Sequence, residues 1–174
     1  MKIDISKVSY KQLTPDFIPE LLDIQEETFA AAVGSSDFLR RNTTETLSVC
    51  FPAPSLVLGA YYEGRMIAFG ILHAAGTTAE NLAKDIDEVE DITENANVKL
   101  IIVRPDYRGN GLQRELITKL GDHAKDCGFK WLSSTVSPEN PWSKNNLEAC
   151  GFTLNKVLKK YGGLERYLFV KRIG

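Results

Sequence analysis

The chain has 174 residues, 43% hydrophobic and 25% charged, which is the make-up of a globular protein and excludes a disordered or fibrous one. That length predicts one domain over residues 1–174, with a sizeable core. Lysines and arginines number 21 against 23 aspartates and glutamates, a formal charge of −2, which excludes the basic footprint of a duplex-binding protein. Cys50, Cys127 and Cys150 are odd in number and form no CxxC pair, so neither a disulfide framework nor a zinc site is expected. The first residues carry no apolar signal region, and the longest clean apolar run, residues 66–72, is far short of the ~20 residues of a membrane span. The expectation is a cytoplasmic protein with no metal, no nucleic-acid partner and no membrane partner.

Phe17, Ile18, Leu21, Leu22 and Phe29 recur at near-helical spacing, interrupted by Gln25, and Pro15 and Pro19 suit a helix start. Gly34-Ser35-Ser36-Asp37 reads as a loop. A second short helix is expected from Asn42, which can cap, with Glu45 three positions on as in a capping box. Residues 56–62 and 65–72 read as two strands joined by a turn at Glu63-Gly64. Residues 79–94 hold seven acids against one base, Lys84, and read as a solvated acidic helix or loop. The rest of the chain, 20 basic against 16 acidic residues, stands at +4.

Residues 98–103 form a near-continuous apolar run, as a buried central strand does. A turn, Arg104-Pro105-Asp106-Tyr107-Arg108-Gly109-Asn110-Gly111, follows it. Beyond the turn, Leu112, Leu116, Ile117, Leu120 and Ala124 fall on one face of a helix that Gly128 can end. Residues 131–136 read as a strand, 140–150 as a short helix, and 153–158 and 165–172 as the last two strands. No internal repeat or interdomain linker is visible.

The strand, Gly-rich turn and helix carry the chemistry. A helix start exposes unpaired N–H groups and about half a positive charge. Gly109 and Gly111 allow positive φ and a close approach to those amides. Arg108, with Arg104 and Arg114, raises the local potential. The ligand predicted for this turn is a phosphate or pyrophosphate; the bland alternative is a plain turn. There is no GxxxxGK[ST], and Arg114 stands where a dinucleotide fingerprint needs glycine or alanine.

Residues 103–112, Val-Arg-Pro-Asp-Tyr-Arg-Gly-Asn-Gly-Leu, resemble the acetyl-CoA-binding motif of the GNAT N-acetyltransferase family. Residues 136–143, Val-Ser-Pro-Glu-Asn-Pro-Trp-Ser, with Gly151-Phe152 beyond, resemble the family's segment after its fifth strand. The two blocks come in the family's order and at a typical separation, and the resemblance runs from about residue 8 to 172. It implies an α/β (mixed α+β) fold: a central twisted mixed sheet of about six to seven strands flanked by about four helices. It implies acetyl-CoA as co-substrate. Ile101, Ile102 and Val103 would pair with pantetheine where the strands splay. Arg108, Gly109, Asn110, Gly111, Leu112 and Gln113 would hold the diphosphate, and Asn140 would meet pantetheine beside Ser143. Asn140 before Pro141 also reads as a helix N-cap, and Ser143 as a capping or surface residue. The chain departs from the pattern twice: Gln113 stands where glycine or alanine is usual, and Leu147 where many members carry a tyrosine as general acid.

The resemblance implies N-acetyltransfer to a primary amine, direct within a ternary complex. The alternative is a catalytically weak acyl-CoA-binding sensor, and a more distant one a nucleotide-binding regulator on the same turn. Candidate acid–base groups are Tyr161 in the last hairpin, His73 at a strand end, and Glu94 or Asp91 ahead of the central strand. The bland alternatives are a packed histidine and a hairpin-tip aromatic. Expected partners are a small-molecule or protein amine acceptor, with a homodimer as the oligomeric option. The acids at 80–94 could draw in a cationic acceptor, or form a solvated face.

Overall fold

The computed structural model describes residues 1–32 and 40–174; the expected loop at Gly34-Ser35-Ser36-Asp37 lies outside them. Among the described residues, seven strands form one sheet: β1 Ser9–Gln12, β2 Leu56–Tyr62, β3 Arg65–His73, β4 Asn95–Val103, β5 Trp131–Val136, β6 Thr153–Lys160 and β7 Leu164–Arg172. Their order is β1-β2-β3-β4-β5-β7-β6, and only β4 and β5 run parallel. Four α-helices accompany them: α1 Ile18–Ala31, α2 Thr44–Ser48, α3 Leu112–Asp126 and α4 Pro141–Ala149.

The helices cover both faces of the sheet. Leu21 and Ile24 of α1 and Leu47 of α2 pack on Val57, Phe69, Ile71, Leu100 and Ile102. On the opposite face, α3 buries Leu112, Leu116, Ile117, Leu120 and Ala124, the stripe expected from the sequence. Leu116 meets Ala60, Ile67 and Ala68, while Ile117 and Leu120 meet Leu72, Val98 and Leu132. One helix thus fixes its own N-terminus against both central strands, which positions the turn that precedes it.

Several local readings change. Strand β1 has no counterpart among the elements expected from the sequence; four residues with only one of them partly buried leave little period-2 signal. The cap of α2 is Thr43 and not Asn42: Thr43 N–H donates to Thr46 Oγ1 at 2.8 Å, and Thr46 N–H donates to Thr43 Oγ1 at 3.3 Å. Asn42 instead donates its N–H to Gln25 Oε1 (2.7 Å), and Gln25 Nε2 donates back to Asn42 C=O (3.1 Å). That exchange satisfies the polar interruption buried in α1.

Residues 79–94 are not a freely solvated stretch. Two short 3-10 turns, Leu82–Asp85 and Ile92–Glu94, bury Leu82, Ala83, Ile86 and Val89 against Leu168 and Val170. The acids point outward and are mostly engaged. Asp85 pairs with Lys160, Asp87 with Lys156 at 3.8 Å, and Glu88 accepts from Asn155 at 3.0 Å.

Candidate active site

Strand β4 ends at Val103, and the turn after it divides into buried and open parts. Arg104 is buried: its Nε donates to Met66 C=O (2.7 Å) and its guanidinium pairs with Glu27. It therefore adds nothing to the turn's surface potential, contrary to the sequence expectation. Tyr107 is buried as well. Arg108 is exposed, with no ion pair among the described residues. Gly109 and Gly111 stand at φ +81° and +82°, the left-handed region. A Cβ at Gly109 would meet nothing within 4 Å, and one at Gly111 only Ile5 Cδ1 at 3.7 Å. The space in front of this main chain is open.

Gly111 caps α3 without a side chain, and the helix's first main-chain bond is Glu115 N–H to Gly111 C=O at 3.1 Å. The N–H groups of Leu112, Gln113 and Arg114 are left without a main-chain acceptor. With the helix dipole and Arg108, this is a setting for a multiply charged anion.

The side chains of the residues expected at this site have partners within the protein. Asn110 Nδ2 donates to Met1 C=O and to Tyr107 C=O, both at 2.8 Å, and its Oδ1 accepts from Ile3 N–H at 3.1 Å. It ties the N-terminal segment behind the turn, leaving only its main chain for a ligand. Leu112 belongs to the core. Gln113 reaches α4: its Nε2 donates to Ser143 Oγ (3.1 Å) and its Oε1 accepts from Asn146 Nδ2 (2.7 Å). The bulk that looked out of place beside glycine is thus turned away from the open side. Asn140 caps α4, accepting from Ser143 N–H at 3.1 Å and donating Nδ2 to Ser143 Oγ at 3.0 Å. The capping reading of Asn140 and Ser143 therefore holds. Arg114, also expected to raise the potential, donates Nε to Asn146 Oδ1 at 2.7 Å.

Beside this turn the sheet opens. Strands β4 and β5 pair only at Asn95–Trp131, Ala96–Leu132 and Asn97–Ser133. Ser134 Oγ donates to Val98 C=O at 2.9 Å, and beyond it the strands part. On its other side β4 stays paired with β3 as far as Val103, opposite Ala68. The β4 edge toward β5, from Lys99 through Ile101, Ile102 and Val103, is unpaired, as expected of a splay. Leu72 faces Val98 and Ile71 faces Leu100, so Lys99 is the extra residue of a β-bulge.

A cleft of about 90 Å³ sits at this opening. Asn97, Lys99 and Leu100 of β4 line it, with Thr135 of β5, Tyr161 and Arg166 of the last hairpin, and Arg40, Asn42 and Glu80 from the connections. The Tyr161 hydroxyl and Thr135 Oγ1 share a hydrogen bond of 2.9 Å, and the Arg40 guanidinium lies 4.0 Å over the Tyr161 ring. Asn97 Nδ2 donates to Glu80 C=O at 2.8 Å, while Asn97 Oδ1 accepts from Leu82 N–H, Asn95 Nδ2 and Ser133 Oγ at 3.1–3.2 Å. This buried network holds the Glu80 segment on the cleft wall.

Residues 18–152 match the profile of the Acetyltransferase (GNAT) family. The chain belongs to that family. Among curated relatives, L-amino acid N-acyltransferase MnaT of Escherichia coli K12 is 31% identical over 62 residues, a match spanning 36% of each chain. Among solved structures, the ribosomal-protein-S18-alanine N-acetyltransferase of Escherichia coli superposes with TM-score 0.71 at 19% identity, over 96% of this chain and 94% of that one. A GNAT phosphinothricin acetyltransferase of Sinorhizobium meliloti, solved in complex with AcCoA, gives TM-score 0.72 at 16% identity, over 97% and 89%. At these identities the likeness is one of fold.

Within this GNAT frame the acid–base candidates separate. Tyr161 reaches the cleft. Glu94 does not: it pairs with Lys130 at 3.1 Å and its C=O accepts from Lys130 N–H at 2.9 Å. Asp91 caps the Ile92–Glu94 turn, and its bonds from Thr93 hold the carboxyl below its usual range. His73 is buried opposite Asn97, off the cleft lining, with no partner for Nδ1 among the described residues. Burial, then the Lys99 charge, hold its pKa below the usual value, with Glu80 opposing. His73 is therefore a packed, neutral imidazole. Cys50 is buried and its thiol pushed up to about 11, chiefly by burial, so it is no nucleophile. Leu147, at the position of the usual tyrosine, is core, packed with Ile117, Leu120 and Phe152. No group of His, Cys, Asp and Glu among the described residues could hold a metal ion. The sequence reading passed over Glu80 and Asn97 as site residues. Glu80 was one acid among seven, and Asn97 lay just outside the apolar run.

Proposed function

We propose that the chain moves the acetyl group of acetyl-CoA directly to a primary amine while both substrates are bound, and that residues 1–174 are one domain acting in the cytoplasm. The observation that carries this reading is the parting of β4 from β5 straight after Asn97, with a polar cleft in the gap and the Gly109–Gly111 turn at the strand's end. Acetyl-CoA supplies a thioester carbonyl and a thiolate leaving group with a thiol-like pKa of about 8.5.

The main chain of residues 108–113, with the Arg108 charge, is the seat for the diphosphate. The unpaired β4 edge, at Ile101, Ile102 and Val103, takes pantetheine as an added strand. A main-chain N–H on the bulged edge near Lys99 stabilises the oxyanion as the amine nitrogen bonds to the carbonyl carbon and the C–S bond breaks. Glu80 accepts the proton the amine loses, and Tyr161 is the candidate donor to the departing sulfur. Holding both substrates in register supplies several kcal/mol through effective molarity. No helix among the described residues is long and apolar enough to cross a membrane, and all three cysteines are free.

The test is release of CoA thiol over a panel of amines, with initial rates varied in both substrates. Intersecting double-reciprocal lines and no acetylated protein by intact mass are expected. Parallel lines with an isolable acetyl-protein overturn direct transfer. Buried Leu147 favours a second reading, an acyl-CoA sensor without the usual acid, since such an acid contributes roughly 10²–10⁴ in rate. Tight CoA binding with no thiol released by any amine would establish that reading instead.

A further inference from the structure

We infer that the acceptor carries an anionic group, a carboxylate, close to its amine, with Arg40 and Lys99 holding the anion and Glu80 facing the ammonium. This deepens the proposed transfer reaction and rests on it.

The cleft's charges carry the inference. Arg40, Lys99 and Glu80 all line it, and none of the three forms an ion pair among the described residues. Arg166 also lines the cleft and donates to Glu165 C=O at 2.8 Å, adding a further positive charge to the wall. Cations therefore outnumber the one carboxylate across a partly enclosed space, where charge interactions exceed their worth in water. An acceptor bearing only an ammonium would answer Glu80 and be repelled by the cations. A zwitterion answers both signs.

The geometry of Arg40 suits this. Its guanidinium carbon lies 4.0 Å over the centre of the Tyr161 ring, and Tyr161 is itself anchored to Thr135 at 2.9 Å. Stacking uses the π face of a guanidinium and leaves its edge N–H donors free for a carboxylate. Lys99, the bulge residue of β4, lines the cleft where β4 and β5 part.

The other acids of the 79–94 stretch stand outside the cleft lining. Asp85 and Asp87 pair with Lys160 and Lys156, Glu88 holds Asn155, Asp91 caps a turn and Glu94 pairs with Lys130. Of the seven acids in that stretch, Glu80 alone lines the cleft.

The probes are a panel of L-amino acids, each with its carboxamide, and n-butylamine, titrated by calorimetry into the CoA-loaded protein and assayed separately for thiol release. The acids are expected to bind at least tenfold more tightly than their carboxamides. Arg40→Gln and Lys99→Met should each shrink that ratio about tenfold, the worth of one charge-assisted hydrogen bond. Thermal melts confirm that each variant is folded. Carboxamides or n-butylamine binding as well as the acids, or a ratio unmoved in both variants, overturns the inference. Preferential binding of the acids with no thiol released by any probe upholds the charge reading of the cleft and overturns the transfer reaction instead.

Discussion

The turn after β4 and the cleft beside it are built from opposite materials. The turn is main chain: Gly109 and Gly111 at positive φ and the free N–H groups of the first turn of α3. Every one of those groups lies within a dozen consecutive residues. The cleft is side chain: Arg40, Glu80, Lys99, Thr135 and Tyr161 arrive from five separate segments. A main-chain site recognises what its shape and dipole dictate, and its pattern is local. A side-chain site is assembled by topology, so its specificity can change one residue at a time while the turn stays fixed.

That contrast predicts separable effects. The largest is expected from Glu80→Gln, which removes the proposed proton acceptor in the cleft and leaves the turn alone. Its kcat should fall by roughly 10²–10⁴ with CoA affinity unchanged; a loss of CoA affinity would merge the two sites. Next, Gly111→Val forces a β-branched residue into φ +82°. Strain of about 1–3 kcal/mol and a bulkier approach should weaken CoA binding by about tenfold to a hundredfold. Circular dichroism should remain native, because a Cβ there meets only Ile5 at 3.7 Å.

His73 should report on the protein beneath the cleft. Its pKa is lowered in the folded state, so below the unfolded value of about 6.5 the unfolded chain binds a proton that the folded chain does not. Stability should therefore be unaffected by this residue above that pH and fall as pH drops below it. Denaturant melts of His73→Gln should show a shallower loss as pH falls below about 6.5. The smallest effect is expected from Arg108→Gln. An exposed charge contributes about 1 kcal/mol or less at low salt, so the loss of CoA affinity should shrink as salt is raised. An equal loss at low and high salt would show that Arg108 acts by shape.

The same contrast explains what could be read from the sequence. Strand β2 at Leu56–Tyr62, β5 at Trp131–Val136 and the buried stripe of α3 follow their expected positions, because hydrophobic periodicity and glycine punctuation are local. Strand β4 begins at Asn95, earlier than the apolar run suggests. Asn95 and Asn97 are buried polar residues whose partners, Asn81 and Ser133, lie elsewhere in the chain. In residues 79–94 the charges masked Leu82, Ile86 and Val89, whose burial depends on β7. The motif names Asn110 and Gln113 by position, and it does not tell that their side chains answer to Ile3 and Asn146.

A crystal structure grown with acetyl-CoA tests the central claim most directly. The diphosphate should lie on the N–H groups at the start of α3, with pantetheine along the free edge of β4 and the acetyl group at Lys99. A diphosphate bound away from Gly109 and Gly111, or β4 and β5 zipped together beyond Asn97, would contradict it.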